Sequence, residues 1–556
     1  MKDKLTKSLL AALAQAQEDG ALPQATPPAI TLEHPRQAGH GELASNLALQ
    51  LAKPCRMNPR AVAQAILERL GDASGILQKV EIAGPGFINF HIKPSAWLAV
   101  LLQILEQGPD YGRADLGRGR KALVEFVSAN PTGPLHVGHG RGAALGDVLA
   151  RLLRFVGYEA HREYYINDAG NQMSTLGRSL IHRVRQLRGS TEPFPDNHYR
   201  GEYMLDLARE FIASHPEDTI QDMLAGYNSV DLATAWAGGK ILDGIKEDLT
   251  TFGVGIDTWY SERSLVDEGA VQAAFDELKQ RELLYESEGA LWFRATAFGD
   301  DKDRVVKRGN GEITYFASDI AYHRDKFRRG YAKLVDVWGA DHHGYVPRLQ
   351  AAMTGLDHPA EGLSVVLVQM VNLLRGGLPV AMSTRAGEFV TLKEVVDEVG
   401  ADSARFIFLT RRSEAPLDFD LEVAKQKSMD NPVFYVQYAH TRVKSVLKKA
   451  QEAGVPLYDA AKVDLKPLAL PEEVALARLL GDYPEMVAGA ALNLEPHRVT
   501  YYLQELAGAF HSYYNSHHIL FEDPPLTAAR LVLAQAVGAV LAGGLALLGV
   551  SAPEAM

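Results

Sequence analysis

The segment at residues 128–139, Ser-Ala-Asn-Pro-Thr-Gly-Pro-Leu-His-Val-Gly-His, constrains the fold of this chain more than any other feature. It follows an apolar run at 122–127 that is typical of a buried strand. It precedes residues 140–155, whose apolar side chains recur at helical spacing. A strand, a Pro/Gly turn and a helix leave backbone N–H groups exposed at the helix N-terminus, where anions bind readily. The segment therefore predicts an α/β fold with a phosphate site.

Two imidazoles stand at the start of this predicted helix. His136 and His139 are three residues apart, so a helix would place them side by side on its first turn. Gly138 between them would let a ligand approach the backbone closely. With its flanking strand and helix, the pattern favours a nucleotide triphosphate. The His-x-x-His spacing alone also fits a surface pair or half of a metal site.

The same residues resemble a known family. His136-Val-Gly-His139 is similar to the HIGH signature of class I aminoacyl-tRNA synthetases, and the longer segment closely resembles the arginyl-tRNA synthetase version. The resemblance extends over nearly the whole chain. It implies that Pro134, His136, Gly138 and His139 bind ATP, with the two histidines acting on the triphosphate during catalysis.

At 556 residues the chain is long enough for two to four domains. We expect an α+β module at 1–115 and a doubly wound, Rossmann-like parallel sheet at 116–412. An all-α bundle should follow at 413–556. A mostly helical insertion is expected at about 168–308. It should end in hairpin-like segments around 284–294 and 303–315, the latter with a turn at Asn310-Gly311. The candidate strands of the parallel sheet lie at 122–127, 159–166, 334–338 and 363–369.

The composition is that of an ordinary soluble protein, with 47% hydrophobic and 23% charged residues. The net charge of −12 does not indicate nucleic-acid binding, although local basic patches can still bind phosphates. Cys55 is the one cysteine, so neither an internal disulfide nor a cysteine zinc cluster is possible. This usage and the lack of a signal-peptide core favour a cytoplasmic location.

One apolar segment, residues 531–550, is long enough to span a bilayer. It is rich in Ala and Gly and lacks an aromatic belt, so we interpret it as a buried helix of the bundle and expect no membrane partner.

A second family signature would lie at residues 381–385, Ala-Met-Ser-Thr-Arg. The resemblance implies that this loop holds the triphosphate, with Met382 and Ser383 matching the family pattern. Ala381 and Thr384 stand where the family's lysines would be, and Gly133 stands where some arginyl enzymes carry a substitute lysine. We therefore take Arg385 as the catalytic cation of this loop. The alternative is a flexible loop without a role.

Residues 338–344, Trp-Gly-Ala-Asp-His-His-Gly, follow a predicted strand, and ligands of α/β sheets bind at the carboxyl ends of strands. The resemblance implies that Gly339, Asp341 and His342 lie on the adenosine side of the ATP site. A His-His metal site is the alternative reading, but the spacing suggests no third ligand.

A pocket that selects arginine needs carboxylates for the planar guanidinium and benefits from an aromatic wall. Tyr315 and Asp319 are four residues apart and would share a helix face. The family resemblance implies the following arginine-binding residues: Ser128, Asn130, Glu262, Tyr315, Asp319 and His342.

RNA contacts follow from the resemblance to the family's N-terminal elbow-binding domain and C-terminal anticodon-binding domain. Aromatic and basic side chains can stack on splayed-out bases, although an aromatic helical stripe is more often core. The resemblance implies these tRNA-binding residues: Asn46, Phe87, Tyr435, Arg442, Tyr514 and Met556.

The resulting hypothesis is an arginine–tRNA ligase that forms arginyl-adenylate from arginine and ATP and passes it to its tRNA. ATP implies Mg²⁺, and the lack of a cysteine cluster leads us to expect no zinc. The resemblance implies activation that depends on bound tRNA, and we expect a monomer. Three alternatives stay open: a class I ligase for another amino acid, a small adenylyltransferase, and a catalytically weakened relative that binds tRNA.

Overall fold

The computed structural model describes residues 2–35, 39–71, 75–226, 229–380, 390–456 and 459–556. The N-terminal module is α+β, as predicted, with a four-stranded antiparallel sheet in the order β1-β2-β4-β3. Its elements are α1 (Lys2–Glu18), β1 (Leu32–Glu33), β2 (Leu43–Ser45), α2 (Leu47–Cys55), α3 (Pro59–Leu70), β3 (Leu77–Ala83), β4 (Phe87–Ile92) and α4 (Pro94–Gln107).

The first half of the catalytic region contains the strand and helix that flank the histidines, followed by a helical insertion. Its elements are β5 (Lys121–Glu125), α5 (Val137–Phe155), β6 (Glu159–Ile166), α6 (Asn171–Leu187), α7 (Glu202–Ser214), α8 (Glu217–Ala225), α9 (Ser229–Thr251), β7 (Thr258–Ser261), α10 (Glu262–Asp267), α11 (Ala270–Gln280), β8 (Leu284–Ser287), β9 (Ala290–Phe293) and β10 (Arg304–Lys307).

The second half returns to the sheet and then leaves it. Its elements are α12 (Tyr315–Arg328), β11 (Lys333–Gly339), a 3₁₀ helix (Ala340–Tyr345), α13 (Val346–Gly355), β12 (Leu363–Val368), β13 (Val371–Arg375), β14 (Leu378–Pro379), α14 (Leu392–Val399), α15 (Ala401–Phe408), β15 (Leu417–Asp420) and α16 (Leu421–Lys425).

Five parallel strands form the central sheet in the order β12-β11-β5-β6-β7. The chain starts at β5, moves outward through β6 and β7, and then reverses to β11 and β12. The strand order therefore switches between β5 and β11, and the carboxyl ends of these two strands border the crevice where doubly wound sheets bind ligands. All four predicted strands belong to this sheet.

Three details differ from the sequence-based expectation. The expected insertion at 168–308 contains β7, a half-buried strand of the central sheet whose four residues give too little alternation to recognise. In the predicted hairpin around Asn310, β10 pairs with β9, and only a single bridge joins Lys307 to Ile313. Beyond residue 412, where the bundle was expected to begin, β15 pairs in parallel with β13.

The C-terminal bundle consists of α17 (Pro432–Glu452), α18 (Pro471–Leu492), α19 (His497–Ser516) and α20 (Pro524–Leu548). Within the described residues, α20 alone is long and apolar enough to cross a membrane, and 72% of its most apolar window is buried. It packs against the other three helices of the bundle and against α4. This environment agrees with the interpretation of the segment as a bundle helix.

Candidate active site

The turn after β5 leaves the regular strand geometry at two residues. Val127 and Ser128 both have positive φ angles, of 67° and 42°, a region that non-glycine residues rarely adopt. Side-chain bonds hold this turn in place: Ser128 Oγ donates to Glu125 Oε1 at 2.8 Å and accepts from the Tyr165 backbone N–H at 3.1 Å. Such strain persists where the surrounding structure fixes it, as at many binding sites.

His136 and His139 cap the N-terminus of α5 with their side chains. Nδ1 of His136 accepts from the backbone N–H of Gly138 at 3.1 Å, and Nδ1 of His139 accepts from the backbone N–H of His136 at 3.2 Å. The rings stack with their centroids 3.7 Å apart. Because both Nδ1 atoms accept, each neutral ring carries its proton on Nε2.

Burial keeps these imidazoles neutral. It lowers the pKa of His136, and burial together with the neighbouring His136 lowers the pKa of His139 to about 3. A Cβ atom at Gly138 would stand 3.0 Å from the His136 ring, so a side chain there would disturb the stacked pair. The helix N-terminus thus offers backbone and imidazole N–H groups, but no full positive charge.

These histidines lie in a cleft of about 1440 Å³ at the carboxyl ends of β5, β11 and β12. The cleft brings together nine of the predicted ATP- and arginine-binding residues: Ser128, Asn130, Pro134, His136, Gly138, His139, Gly339, Asp341 and His342. The side chains of Asp341 and His342 are both exposed in the 3₁₀ helix after β11. The cleft therefore has the composition and location expected of a nucleotide site.

Glu262 and Asp319 form an acidic pocket next to this cleft. The Tyr345 hydroxyl donates to Asp319 Oδ2, and the Tyr165 hydroxyl hydrogen-bonds to Glu262. The side-chain amide of Asn167, oriented to donate to Glu262 Oε2 at 2.7 Å, places its oxygen 3.2 Å from Oδ1 of the cleft residue Asn130. The Asn167 amide therefore lies between the acidic pocket and the predicted ATP side of the cleft.

The two carboxylates destabilise each other's charge. Burial, followed by repulsion from Asp319 and Asp168, raises the pKa of Glu262 to about 7. Burial likewise raises the pKa of Asp319, although the bond from Tyr345 opposes this shift. A buried acidic pair with raised pKa values is prepared to receive a cation.

Tyr315 does begin a helix that also carries Asp319, as the spacing predicted. However, Tyr315 is the first residue of α12, and 67% of its surface is exposed. Tyr315, Glu262 and Asp319 are not among the residues that line the large cleft. Tyr345 and Tyr165 are the aromatic residues bonded to the acidic pair. Sequence reasoning missed Tyr345, and it assigned no role to Tyr165 although the segment 164–172 resembles the family. The contacts of both residues join positions distant in sequence, which local spacing does not reveal.

A buried ion network lies beneath the pocket. Glu125, His323 and Asp336 place possible metal-ligand atoms within 4.8 Å of one another. Lys326 already supplies a cation there, since its Nζ donates to Glu125 Oε2 at 2.6 Å and to Asp336 Oδ1 at 2.9 Å. Burial alone would lower the pKa of Lys326, but the two carboxylates outweigh this effect and raise it. The group is therefore satisfied as an ion network without a metal.

The helical insertion contributes a cleft wall that the sequence did not reveal. Residues 196–201 and Tyr203 line the cleft, together with Asn171, Gln172 and Thr175 at the start of α6. Asn130 donates to the Gln172 side chain across the cleft. Tyr199 and Tyr203, near the start of α7, were the available signal in the sequence. Nothing in the local sequence indicates which way their side chains face.

Three predicted site residues, Met382, Ser383 and Arg385, lie outside the described residues. The structure describes the chain again from Val390, and this segment lies directly against the histidine turn. Val137 N donates to Val390 O at 3.2 Å, and Leu392 N donates to Leu135 O at 2.8 Å. Residue 390 is therefore fixed beside His136.

The residues predicted to bind tRNA lie far from the cleft in the two flanking domains. Asn46 precedes α2 and Phe87 is a partly exposed aromatic at the start of β4, while Met556 is exposed at the C-terminus. In the bundle, the Arg442 guanidinium lies 4.8 Å from the Tyr438 ring centroid and 4.9 Å from that of Tyr514.

Tyr435 extends the same bundle surface. Its ring lies 4.8 Å from the His511 ring, which in turn bonds to Arg442. These half-buried rings and one cation form a stacking surface of the kind that single-stranded bases use.

Comparison with known proteins gives a consistent picture for all three parts of the chain. Residues 3–92 match the family model "Arginyl tRNA synthetase N terminal domain". Residues 100–424 match "tRNA synthetases class I (R), catalytic domain", and residues 436–556 match "DALR anticodon binding domain". Together these matches cover the chain from the N-terminal module to the bundle.

Individual relatives agree with the family models. An arginine–tRNA ligase of Citrifermentans bemidjiense is 54% identical over 100% of both chains. The crystal structure of a candidate arginyl-tRNA synthetase from Campylobacter jejuni has a TM-score of 0.76 at 37% identity and covers 84% of this chain and 100% of its own. The Thermus thermophilus arginyl-tRNA synthetase shares the fold, with a TM-score of 0.77 at 24% identity over 98% and 99% of the two chains.

Proposed function

The chain belongs to the arginyl-tRNA synthetase family, and from that premise we propose how its cleft carries out arginine–tRNA ligation. The reaction uses ATP to join arginine to the 3′ end of its tRNA. The observation that carries the assignment of residues is the juxtaposition of two sites at one sheet edge. The histidine pair that caps α5 lies in the cleft. The side-chain amide of Asn167 lies between this cleft and the acidic pair Glu262–Asp319.

ATP binds as its Mg²⁺ complex along the carboxyl ends of β5 and β11. The adenosine lies toward Gly339, Asp341 and His342, and the triphosphate lies at the N-terminus of α5 beside Pro134 and Gly138. Nε2–H of His139 is available to donate to a phosphate oxygen, because Nδ1 accepts from the backbone. Phosphate binding favours the charged form of a nearby imidazole, so the low pKa of His139 should rise in the complex.

Arginine binds with its guanidinium between Glu262 and Asp319, which can accept its N–H groups in a bidentate manner. Ser128 and Asn130 lie at the cleft side of this pocket and receive the amino-acid end, and His342 faces the same region. Tyr315 stands at the exposed mouth of the pocket, where it can cover the bound side chain.

The chemistry proceeds in two displacements. A carboxylate oxygen of arginine attacks the α-phosphorus of ATP, and the bond to the β-phosphate oxygen breaks to release pyrophosphate. A terminal ribose hydroxyl of the tRNA then attacks the arginyl carbonyl carbon, and AMP leaves with the bonding electron pair. Both steps depend on positioning and on stabilising phosphate charge, rather than on a covalent enzyme intermediate.

Arg385 is proposed to support pyrophosphate departure. It precedes Val390 by five residues, and Val390 is fixed beside the histidine turn. We expect Arg385→Ala to lower kcat about 10²–10³-fold. Arg385→Lys should recover part of that loss, because it keeps the charge.

RNA binding is assigned to the flanking domains: Tyr435, Arg442, Tyr514 and Met556 toward the anticodon, and Asn46 and Phe87 toward the elbow. We further propose that the enzyme acts as a cytoplasmic monomer without a membrane partner and needs no zinc. The ammonium of Lys326 supports the last point, because it occupies the one buried acid–imidazole group that resembles a metal site in the described chain.

The decisive experiment measures AMP formation with and without tRNA for each amino acid. We expect AMP to form with arginine and only when tRNA is present. Rapid arginine-dependent ATP–pyrophosphate exchange without tRNA would contradict the tRNA requirement, and AMP formation with another amino acid would contradict the pocket assignment. No AMP formation at all would favour a tRNA-binding relative with weakened catalysis.

A further inference from the structure

The described part of the cleft is short of positive charge for a ligand as anionic as ATP. Among the cleft-lining residues that the structure describes, Arg200 is the sole arginine or lysine. The two histidines of the α5 cap are held neutral by burial. Preorganised cations usually stabilise the negative charge that develops on phosphates in the transition state. The triphosphate of ATP is therefore a suitable ligand for Arg200.

Two other cations, Arg141 and Lys393, are already engaged. Arg141 of α5 is buried and donates to three backbone carbonyls, those of Gln369, Arg412 and Ala415. Lys393 forms an ion pair with Asp397 on its own helix and does not line the cleft. Neither can turn toward a bound phosphate without losing these contacts.

The backbone that carries Arg200 is anchored on several sides. Arg183 Nη2 donates to the carbonyl oxygen of Arg200 at 2.6 Å, and the Tyr199 N–H donates to Ser179 Oγ at 3.0 Å. The Tyr203 hydroxyl donates to Thr132 O at 2.7 Å, which joins this segment to the turn before the histidines. The Arg200 side chain therefore starts from a fixed point on the cleft wall.

The segment that carries Arg200 packs against Gly133, the position where the family resemblance places a substitute lysine in some arginyl enzymes. A Cβ atom at Gly133 would stand 3.3 Å from the Tyr203 hydroxyl oxygen, so residue 133 faces the 200–203 segment.

The one charged partner of Arg200 is weakly placed to hold it. Arg200 contacts Asp196 four residues earlier, but the Asp196 side chain is 100% exposed and that of Arg200 is 42% exposed. Exposed ion pairs contribute about 0–1 kcal/mol. A phosphate offers the planar guanidinium a bidentate acceptor with more negative charge, and can displace the carboxylate.

We propose that Arg200 binds the β- and γ-phosphates of ATP and stabilises pyrophosphate as it leaves, and so adds to the charge of Arg385 in a chain where Ala381 and Thr384 replace the family's lysines. This inference rests on the proposed function of the cleft. The phosphates at the 3′ end of the tRNA share the same chemistry, but Arg200 lines the cleft beside the histidine turn, which favours ATP.

The test compares Arg200→Ala, Arg200→Lys and a matched control, Arg209→Ala. Arg209 is an exposed arginine of the same insertion, paired to Asp206 three residues away and absent from the cleft wall. With saturating tRNA, we expect Arg200→Ala to lower kcat/KM for ATP about 10²–10³-fold. It should also raise the KM for pyrophosphate in the reverse reaction, and leave the KM for arginine within about twofold.

Arg200→Lys should recover part of the loss, since it keeps the charge but not the fork of donors. Asp196→Asn should not raise the KM for ATP, because it frees Arg200. An Arg200→Ala enzyme that matches Arg209→Ala for ATP and pyrophosphate overturns the inference, as does an effect confined to the KM for tRNA. A wild-type enzyme without arginine-dependent AMP formation instead overturns the proposed function.

Discussion

We propose that specificity for arginine resides in two carboxylates whose charges are costly in the free protein. Glu262 and Asp319 are drawn together by α10 and α12, and burial raises the pKa of each. A bound guanidinium supplies the missing counter-charge and satisfies acceptors that otherwise face each other. Lysine offers a compact ammonium without the planar fork and fits such a pair less well.

Asp319→Asn should preserve the fold and remove one of the two charges. The loss of a charge-assisted pair in a desolvated pocket costs roughly 2–4 kcal/mol. We therefore expect the KM for arginine in tRNA charging to rise about 30- to 900-fold, with the KM for ATP nearly unchanged. If the arginine kinetics of Asp319→Asn equal those of the wild type, Asp319 does not contact the substrate.

Arginine binding should depend on pH through Glu262. The pKa of Glu262 is about 7 in the free protein, and the guanidinium binds the ionised form. Binding therefore releases a proton at lower pH, and the affinity for arginine should rise as the pH increases from 6 to 8. Below pH 7 the loss approaches tenfold per pH unit.

The titration of Glu262 also changes the stability of the native state. Rising pH should strengthen arginine binding but weaken the fold. A carboxyl group whose pKa is raised on folding destabilises the native state increasingly as the pH rises from its unfolded value toward 7. Glu262→Gln should thus weaken arginine binding but flatten its pH profile, as measured by calorimetry, and should raise Tm more at pH 8 than at pH 5. A profile in the variant as steep as in the wild type would argue against Glu262 as the titrating group.

At the scale of elements, His136, the N-cap residue of α5, has both a structural role and a proposed chemical role. His136 caps the helix through Nδ1, while its ring stacks on His139 in the cleft. Asparagine is among the strongest capping residues, whereas alanine cannot cap. The two roles can therefore be separated by substitution.

His136→Asn should keep the Tm of the wild type and still lower kcat by at least about 10²-fold, the scale for losing one transition-state donor. His136→Ala should show the same loss of activity together with about 0.5–2 kcal/mol less stability. Thermal unfolding and charging assays on both variants test this. Equal Tm values for the two variants would mean that the imidazole is not a necessary cap.

Sequence reasoning succeeded where one continuous segment contains the signal. Residues 128–139 specify the strand, the turn and the histidine pair together, and the helical spacing of Tyr315 and Asp319 was likewise local. It missed β7, whose short half-buried strand is defined by pairing with β6. It also missed Tyr345, Tyr165 and the 196–203 wall, because their roles arise from packing between distant segments, which no local pattern encodes.

At the scale of the whole molecule, the N-terminal module is fastened to the C-terminal bundle. Helix α4 packs against α18 and α20 with Trp97 and Leu101 buried, and the Tyr111 hydroxyl donates to Leu480 O at 3.0 Å. The N-terminal domain match ends at residue 92, before α4. Helix α4 therefore belongs energetically to the bundle.

Deletion of residues 1–92 should leave a folded enzyme with weaker tRNA binding and a shallower salt dependence, because phosphate contacts are lost. Deletion of residues 1–115 should instead expose the α18–α20 face that α4 covers and cause aggregation or a lower Tm. Filter binding at several salt concentrations and thermal unfolding distinguish these outcomes. An unchanged tRNA affinity and salt slope in the shorter deletion would show that the module has another role.

The central claim is that the histidine cleft and the acidic pocket form one site for arginyl-adenylate. Calorimetric titration with a non-hydrolysable arginyl-adenylate analogue, in the presence of tRNA, tests it most directly because the ligand must occupy both halves at once. We expect tight binding that is weakened by His136→Asn and also by Asp319→Asn, with the corresponding lysyl analogue binding far less tightly. Binding of the arginyl analogue that is unchanged by either substitution would contradict the account.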